Sequence, residues 1–201
     1  MIKPGKDVYR QVAQLHADNI RQGFLSSLGV PFLTLLYEAI DTNDNSVLFI
    51  VWHEGNVIGF VAGAESVGSI YRQLLRCWPK LLLTLLPVFL SPRKLWKILE
   101  ILFLDRKEQS LPNLPSAELL SIAITQNQRS SGHAQSLYSQ LVNYFHKRGV
   151  DRFRIVVGQT LTAAQRFYLK MGAYPVGCIQ VHKGRISLVY VHNCTPIIAE
   201  S

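Results

Sequence analysis

A short polar segment at residues 129–134 carries side chains that suit the binding of a phosphate group. Arg129 supplies a permanent positive charge, and Ser130 and Ser131 supply hydroxyl groups. Gly132 has no side chain, so an anion can approach the backbone closely at that point. Taken alone, these few positions also fit an ordinary capped helix, so the neighbouring elements must decide between the two interpretations.

The sequence around this segment predicts a strand, then a loop, then a helix. Glu118–Ile124 is largely apolar and predicts a strand, which the loop at 125–131 follows. Apolar residues then recur at helical spacing over 132–148, and Gly149 predicts the end of that helix. The first N–H groups of a helix are free and carry a partial positive charge, so this junction favours a phosphate.

A longer stretch, residues 117–174, resembles the GNAT superfamily of N-acetyltransferases. In that family a strand leads into a loop of pattern Arg/Gln-x-x-Gly-x-Gly/Ala, which holds the pyrophosphate of CoA. Arg129, Gly132 and Ala134 match this pattern. Tyr168, within a Phe-Tyr-x-x-x-Gly sequence, matches the frequent general acid of the family. The resemblance therefore implies an acyl-CoA-dependent N-acyltransferase.

The same resemblance implies where the acyl donor binds. The backbone of residues 121–124 would pair with the pantetheine arm, and a main-chain N–H near its end would polarise the thioester carbonyl. The backbone N–H groups of the loop would hold the pyrophosphate. The implied contacts with acetyl-CoA, or another acyl-CoA, are at Ile122, Ala123, Ile124, Arg129, Ser130, Ser131, Gly132, His133 and Ala134.

Two residues are candidates for proton transfer. Glu118 is the candidate base, acting directly or through water; the alternative is a strand carboxylate paired with a nearby Lys or Arg. Tyr168 is the candidate acid for the departing thiolate; the alternative is a core tyrosine with a satisfied hydroxyl. His16 falls on the acceptor side by the resemblance, although an inert structural role fits it too. No metal site is expected, because the histidines and cysteines show no ligand spacing.

One position departs from the family pattern. Family members often carry Asn seven residues before the tyrosine, where it contacts the cofactor. This chain has Leu161 there, and Gln159, Thr160 or Thr162 are the polar neighbours that could replace it.

The order of predicted elements indicates an α+β (mixed α/β) protein. Helices at 8–19 and 32–40 precede a hairpin over 47–64, and a strand–helix–strand–helix–hairpin series follows an insert. By resemblance this is the GNAT fold, a mostly antiparallel central sheet flanked by helices, with a helical insert before the fourth strand. We expect one domain over residues 1–201.

The insert, at about residues 68–115, lies outside the resemblance. It is rich in leucine and in basic residues, and it predicts amphipathic helices at 71–76 and 93–104 and a linker at 107–116. A lid on the sheet, a homodimer contact, an acceptor-shaping element and an amphipathic surface for peripheral membrane contact all remain open. Its most apolar stretch, 77–90, is too short and too interrupted to predict a membrane span.

The amino-acid composition bears on the binding partners and the cellular location of the protein. Hydrophobic residues form 48% of the 201-residue chain, and the formal net charge is +8, which favours anionic partners. Three widely spaced cysteines argue against a disulfide framework, and no signal peptide is apparent, so a cytoplasmic location is expected. No nucleic-acid partner is expected, because the basic residues concentrate in the leucine-rich insert.

These observations lead to one principal functional hypothesis. It is transfer of acetyl from acetyl-CoA to a primary amine of a small molecule, such as an amino sugar, by direct attack. One alternative is a longer acyl chain, delivered by CoA or a carrier protein, and another is a non-catalytic module that binds CoA or a membrane.

Overall fold

The computed structural model describes residues 5–20, 25–81, 84, 113–182 and 185–194. Most of the predicted insert therefore lies outside the described residues.

The helix predicted at 93–104 falls wholly outside that part of the chain, as does the linker at 107–116 except for its last four residues. The earlier insert helix is present and runs over Val67–Arg76, four residues longer at its start than the predicted 71–76.

The described elements follow the order expected from the sequence, helices first, then a hairpin, then the strand–helix units. Two short 3₁₀ helices lie at Leu25–Leu28 and Gln126–Gln128. The remaining elements are α1 (Lys6–Asn19), α2 (Val30–Thr42), β1 (Ser46–His53), β2 (Asn56–Ala64), α3 (Val67–Arg76), β3 (Glu118–Ile124), α4 (His133–Lys147), β4 (Arg152–Gly158), α5 (Thr162–Lys170), β5 (Tyr174–His182) and β6 (Arg185–Asn193).

All six strands join in one sheet, in the order β1-β2-β3-β4-β6-β5. Every neighbouring pair is antiparallel except β3 and β4, which run parallel. The predicted mixed fold with a mostly antiparallel sheet is confirmed. The strand that the resemblance counts as fourth is the third strand among the described residues, because the two N-terminal helices lead directly into the first hairpin.

The parallel pair at the centre of the sheet separates almost as soon as it forms. Only Glu118 with Arg154, and Leu119 with Ile155, are paired between β3 and β4. The following residues of β3, 121–124, pair with β2 alone. The two strands therefore diverge and leave a wedge-shaped gap in the middle of the sheet.

A β-bulge lies on β3 just where the gap begins. Ser121 is opposite Ala62 and Leu119 is opposite Gly63, so Leu120 is the extra residue on this strand. The bulge turns two consecutive side chains towards the same face, because Leu120 and Ser121 both contact the α1–α2 side of the sheet.

Two apolar cores cover the two faces of the sheet. The first core contains α1, α2 and α3, with Val12, Leu33 and Phe60 fully buried in it. The second core lies under α4, whose buried stripe is Leu137, Tyr138, Leu141 and Phe145. That stripe has the spacing of one helical face, which is why the sequence pattern over 132–148 predicted this helix well.

Two glycines on β2 make room for the second core. A Cβ built on Gly63 would lie 2.5 Å from Leu141 Cδ1 and 3.1 Å from Phe145 Cζ, and one on Gly59 would overlap Ile124. Sequence alone leaves open whether such glycines weaken the strand or admit a neighbour. The structure shows that they admit side chains of α4 and β3.

Replacing Gly63 with Ala should destabilise the protein by about 1–3 kcal/mol, because the added methyl overpacks a filled core. Urea denaturation measures this free energy. Gly68→Ala is the matched control, since the nearest atom to its Cβ is 3.7 Å away, and its effect should be neutral or stabilising. Equal stability of the Gly63→Ala variant and the parent protein would contradict this packing.

Candidate functional site

The loop after β3 is held in shape by hydrogen bonds to β2 and across its own turn. The Thr125 N–H donates to the Ile58 carbonyl at 2.8 Å, which ties the end of β3 to β2. The Ser131 hydroxyl donates to the Gln128 carbonyl across the turn. Ser130 has a φ of +68° and Gly132 a φ of +84°, so both take the left-handed conformation that redirects the chain into α4.

The first turn of α4 presents free N–H groups. The first intrahelical bond at this end runs from the Ser136 N–H to the Gly132 carbonyl at 3.0 Å. The N–H groups of His133, Ala134 and Gln135 precede it, so they have no intrahelical acceptor. A Cβ built on Gly132 would meet nothing within 4 Å, so the space beside this glycine is open.

Arg129 stands beside this helix start. Its Nη2 donates to Asn19 Oδ1 at 2.9 Å, and the Asn19 amide donates to the Leu15 carbonyl at 2.9 Å. The guanidinium is therefore linked to the end of α1, which packs on the face of the sheet opposite α4. No sequence pattern pointed to Asn19, because its partner is 110 positions away.

A cavity of about 220 Å³ opens between these elements. Its walls come from the end of α1, the second half of β3, the start of α4 and one face of α5. The predicted site residues that line it are Ile122, Ala123, Ile124, Arg129, Ala134 and Tyr168. Lining residues that the sequence analysis did not identify are Asn19, Ile20, Ala164 and Phe167.

The other residues predicted to contact the acyl donor lie on the turn between two cavity-lining residues, Arg129 and Ala134. Ser130, Ser131 and Gly132 lie between Arg129 and the start of α4, and His133 opens that helix. Two of the lining residues that the sequence analysis missed could have been predicted from Tyr168. Ala164 lies one helical turn before Tyr168, and Phe167 lies one residue before it, on the same helix.

Tyr168 lies on α5 and is nearly fully buried at the cavity wall. Its ring contacts those of Phe167 and Tyr138. Burial raises the pKa of the Tyr168 hydroxyl above its ordinary value, so this group keeps its proton at neutral pH. A protonated hydroxyl beside a cavity can act as a hydrogen-bond or proton donor.

Glu118 lies at the closed end of the gap, where β3 and β4 are still paired, and does not line the cavity. Its Oε2 accepts from Arg154 Nε at 2.9 Å and Nη2 at 2.8 Å. The two side chains are 17% and 29% exposed. Burial raises the pKa of this carboxyl, and the Arg154 guanidinium partly offsets that rise. The arginine pairing that the sequence left as an alternative is present, while the role of base stays a prediction.

The connection between β4 and α5 is held by a residue that the sequence analysis did not single out. Leu161 is 38% exposed and makes no side-chain cap for α5. Instead, the Gln165 amide donates to the Gly158 carbonyl at 3.1 Å and to the Gln159 carbonyl at 2.8 Å. Gln165 thus fixes the turn from within the helix.

Two features are absent from the described part of the chain. Within it, no helix combines the length and hydrophobicity needed to cross a bilayer. Among the same residues, His, Cys, Asp and Glu side chains form no group of three or more that could hold a metal ion.

Comparison with known proteins identifies the family to which the chain belongs. A sequence model described as "Acetyltransferase (GNAT) family" matches residues 17–173, which span the cavity, the loop and both catalytic candidates. The chain belongs to the GNAT acetyltransferase family. Members are acyl-CoA-dependent N-acyltransferases, so the GNAT chain described here is an enzyme of that class. A comparison with curated protein sequences finds no match.

Solved structures share this GNAT fold at low sequence identity. An N-acetyltransferase from Staphylococcus aureus Mu50 has a TM-score of 0.61 at 12% identity, with 96% of each chain covered. An aminoglycoside 6'-N-acetyltransferase complexed with coenzyme A has a TM-score of 0.59 at 11% identity, covering 98% of this chain and 96% of its own.

The ribosomal-protein-S18-alanine N-acetyltransferase from Escherichia coli has a TM-score of 0.55 at 11% identity, covering 98% of this chain and 95% of its own. At such identities the likeness concerns the fold alone. The acceptors of these enzymes differ, so the fold by itself does not select one.

The Glu118–Arg154 pair should stabilise the junction of β3 and β4. We expect Glu118→Gln to lower the free energy of unfolding by about 2 kcal/mol, because it leaves a partly buried guanidinium without its counterion. Urea denaturation of Glu118→Gln, Arg154→Met and the double variant measures the coupling.

The double variant should lose less stability than the sum of the two single variants. Glu54→Gln, at an exposed carboxylate, is the control and should cost less than about 0.5 kcal/mol. Strict additivity of the two single effects would contradict a stabilising pair.

Proposed function

We propose that this GNAT enzyme transfers acetyl from acetyl-CoA to a primary amine of a small molecule such as an amino sugar. The observation that carries the proposal is the cavity along the part of β3 that has separated from β4, which reaches both the start of α4 and Tyr168. It combines an anchor for phosphate with a protonated hydroxyl on the opposite wall.

The donor anchor follows from the loop geometry. Open space in front of Gly132, free N–H groups at the start of α4 and the Arg129 guanidinium together suit the pyrophosphate of CoA. The hydrogen bond from Arg129 to Asn19 holds the guanidinium in place beforehand, which lowers the entropic cost of binding. A net charge of +8 also favours an anionic donor.

The gap in the sheet suits the arm that carries the acyl group. Residues 121–124 pair with β2 on one side only, so their backbone groups on the other side face the gap. An extended pantetheine chain can add to such an edge as a strand would.

The reaction would proceed by direct attack. The neutral amine nitrogen forms a bond to the thioester carbon, and the carbon–sulfur bond breaks. Tyr168 gives its hydroxyl proton to the departing thiolate and recovers one from solvent. The proton that the amine loses passes to Glu118 through water, because Glu118 lies outside the cavity, roughly 10 Å along the strand from Ser121 at about 3.3 Å per residue.

The net charge of the chain favours one chemical class of acceptor over another. Similar folds serve an aminoglycoside 6'-N-acetyltransferase and a ribosomal-protein-S18-alanine N-acetyltransferase. A chain of net charge +8 repels a polycation, so an acceptor with one amine and neutral or acidic groups fits better. An amino sugar has that character. We also propose that the enzyme is cytoplasmic and that the insert makes either a membrane contact or a homodimer contact.

Removing the Arg129 side chain should weaken donor binding. We expect Arg129→Ala to raise the Kd for acetyl-CoA about tenfold, since a charge-assisted hydrogen bond to phosphate is lost. Isothermal titration calorimetry measures it. Arg152→Ala is the control, because Arg152 is an exposed arginine bonded to the Asn113 carbonyl, outside the cavity lining.

Failure of the unaltered protein to bind acetyl-CoA would contradict the proposal. Tighter binding of palmitoyl-CoA than acetyl-CoA would instead support the longer-chain alternative.

Tyr168→Phe should lower kcat by about 10²-fold or more while leaving the Kd for acetyl-CoA unchanged, because a proton donor is removed and the ring remains. Release of the CoA thiol with a panel of amino sugars and other primary amines measures turnover. Tyr190→Phe is the matched control, because Tyr190 is buried in the same core and its ring centroid lies 6.4 Å from that of Tyr168. Equal losses in both variants would indicate a structural effect only.

A further inference from the structure

A chain of four hydrogen bonds runs through the first core behind the cavity wall. The Ser26 hydroxyl donates to the Ile20 carbonyl, and Ser26 Oγ lies 3.1 Å from His16 Nε2. His16 Nδ1 lies 2.6 Å from the Tyr37 hydroxyl, and that hydroxyl lies 3.0 Å from Ser121 Oγ. The chain links the end of α1 to the bulge on β3.

Burial keeps His16 neutral, and this decides the direction of the hydrogen bonds, because an imidazolium could donate to both Ser26 and Tyr37. It is 4% exposed, and its ring stacks on Phe60 with a centroid distance of 6.4 Å. Burial lowers the pKa of His16 to about 4. A neutral imidazole has one donor and one acceptor nitrogen, so only one tautomer is present at a time.

The carbonyl at one end fixes the direction of every bond. A carbonyl can only accept, so the single Ser26 proton points at Ile20 and Ser26 Oγ accepts from His16 Nε2–H. His16 Nδ1 is then the acceptor and receives the Tyr37 proton.

With its own proton used in that way, the Tyr37 oxygen must accept from Ser121. The Ser121 proton is therefore committed, and the remaining lone pairs of Ser121 Oγ can act only as acceptors.

Ser121 lies next to the cavity rather than in its lining. It sits on the bulge, past the last pairing between β3 and β4, and immediately precedes the cavity residue Ile122. The other end of the chain, Ile20, lines the same cavity.

We propose that Ser121 Oγ accepts a hydrogen bond from the N–H of the acceptor amine, with Ser26, His16 and Tyr37 as positioning residues. This proposal rests on the proposed acetyl transfer. A primary amine has two N–H donors and one lone pair. An oxygen that can only accept binds an N–H and leaves that lone pair directed at the thioester carbon. A freely rotating hydroxyl could instead donate to the nitrogen and mask it.

The direction of the chain can be tested without any acceptor. Nitrogen-15 NMR of the histidine side chains at pH 7, assigned with a His16→Gln variant, should show His16 as the Nε2–H tautomer. An Nδ1–H tautomer or an imidazolium at His16 would overturn the proposal, because the Ser121 proton would no longer be committed.

The function of Ser121 is tested with hydroxylamine, a nucleophile whose NH2 group has two N–H donors and one lone pair, as a primary amine has, and which is small enough to reach any acceptor cleft. With acetyl-CoA as donor, Ser121→Ala should lower kcat/KM for hydroxylamine about tenfold and leave the Kd for acetyl-CoA within about twofold. Ser121→Thr keeps the hydroxyl and should restore most of the rate. Tyr37→Phe should resemble Ser121→Ala, since Ser121 is then free to rotate.

Tyr9→Phe is the matched control. Tyr9 is a buried tyrosine of the same core, but its hydroxyl donates to Asp41 Oδ2 at 2.7 Å and takes no part in the chain. Its loss should leave turnover with hydroxylamine unchanged.

The two proposals fail in different ways. Absence of acetyl-CoA binding to the unaltered protein overturns the proposed function. Normal acetyl-CoA binding, with Ser121→Ala as active as the unaltered protein, overturns only the role of Ser121. Binding of acetyl-CoA without any transfer to hydroxylamine by the unaltered protein also counts against that role.

Discussion

The separation of β3 and β4 after two residue pairs is the constraint on which the site depends. A parallel pair that stayed together would bury the backbone of residues 121–124 in a ladder, and no cavity would exist between the strands. The Glu118–Arg154 ion pair holds the strands together at one end. Beyond it, residues 121–124 pair with β2 alone, and the end of α1, the start of α4 and one face of α5 line the cavity beside them.

Each end of that gap has its own chemistry. At the open end, Arg129 and the first N–H groups of α4 concentrate positive potential without a carboxylate partner among the cavity-lining residues. Behind the wall, neutral His16 and Tyr37 form a hydrogen-bonded chain that carries no net charge. In the proposed complex with acetyl-CoA, a charged anchor for phosphate would thus be combined with uncharged groups near the thioester, where a buried ion would be costly.

The sequence predicted those features that arise from local patterns. The β3 boundaries, the helix after it and the start of the loop follow from periodicity and from Gly132, whereas Tyr168 follows from the family resemblance of its Phe-Tyr-x-x-x-Gly sequence. Contacts between distant segments were beyond it. The links of Arg129 to Asn19 and of Tyr37 to Ser121 depend on how α1 and α2 pack against the sheet, which spacing along one chain does not encode.

Mapping acetyl-CoA on the backbone tests the central claim most directly. Amide chemical shifts from a ¹⁵N-labelled sample, followed during titration with acetyl-CoA, should change most over residues 122–124 and 129–134 and around Tyr168. Control residues on β5, at the far edge of the sheet, should change little. Saturable changes confined to other surfaces, or no changes at all, would contradict the account that the gap between β3 and β4 receives the acyl donor.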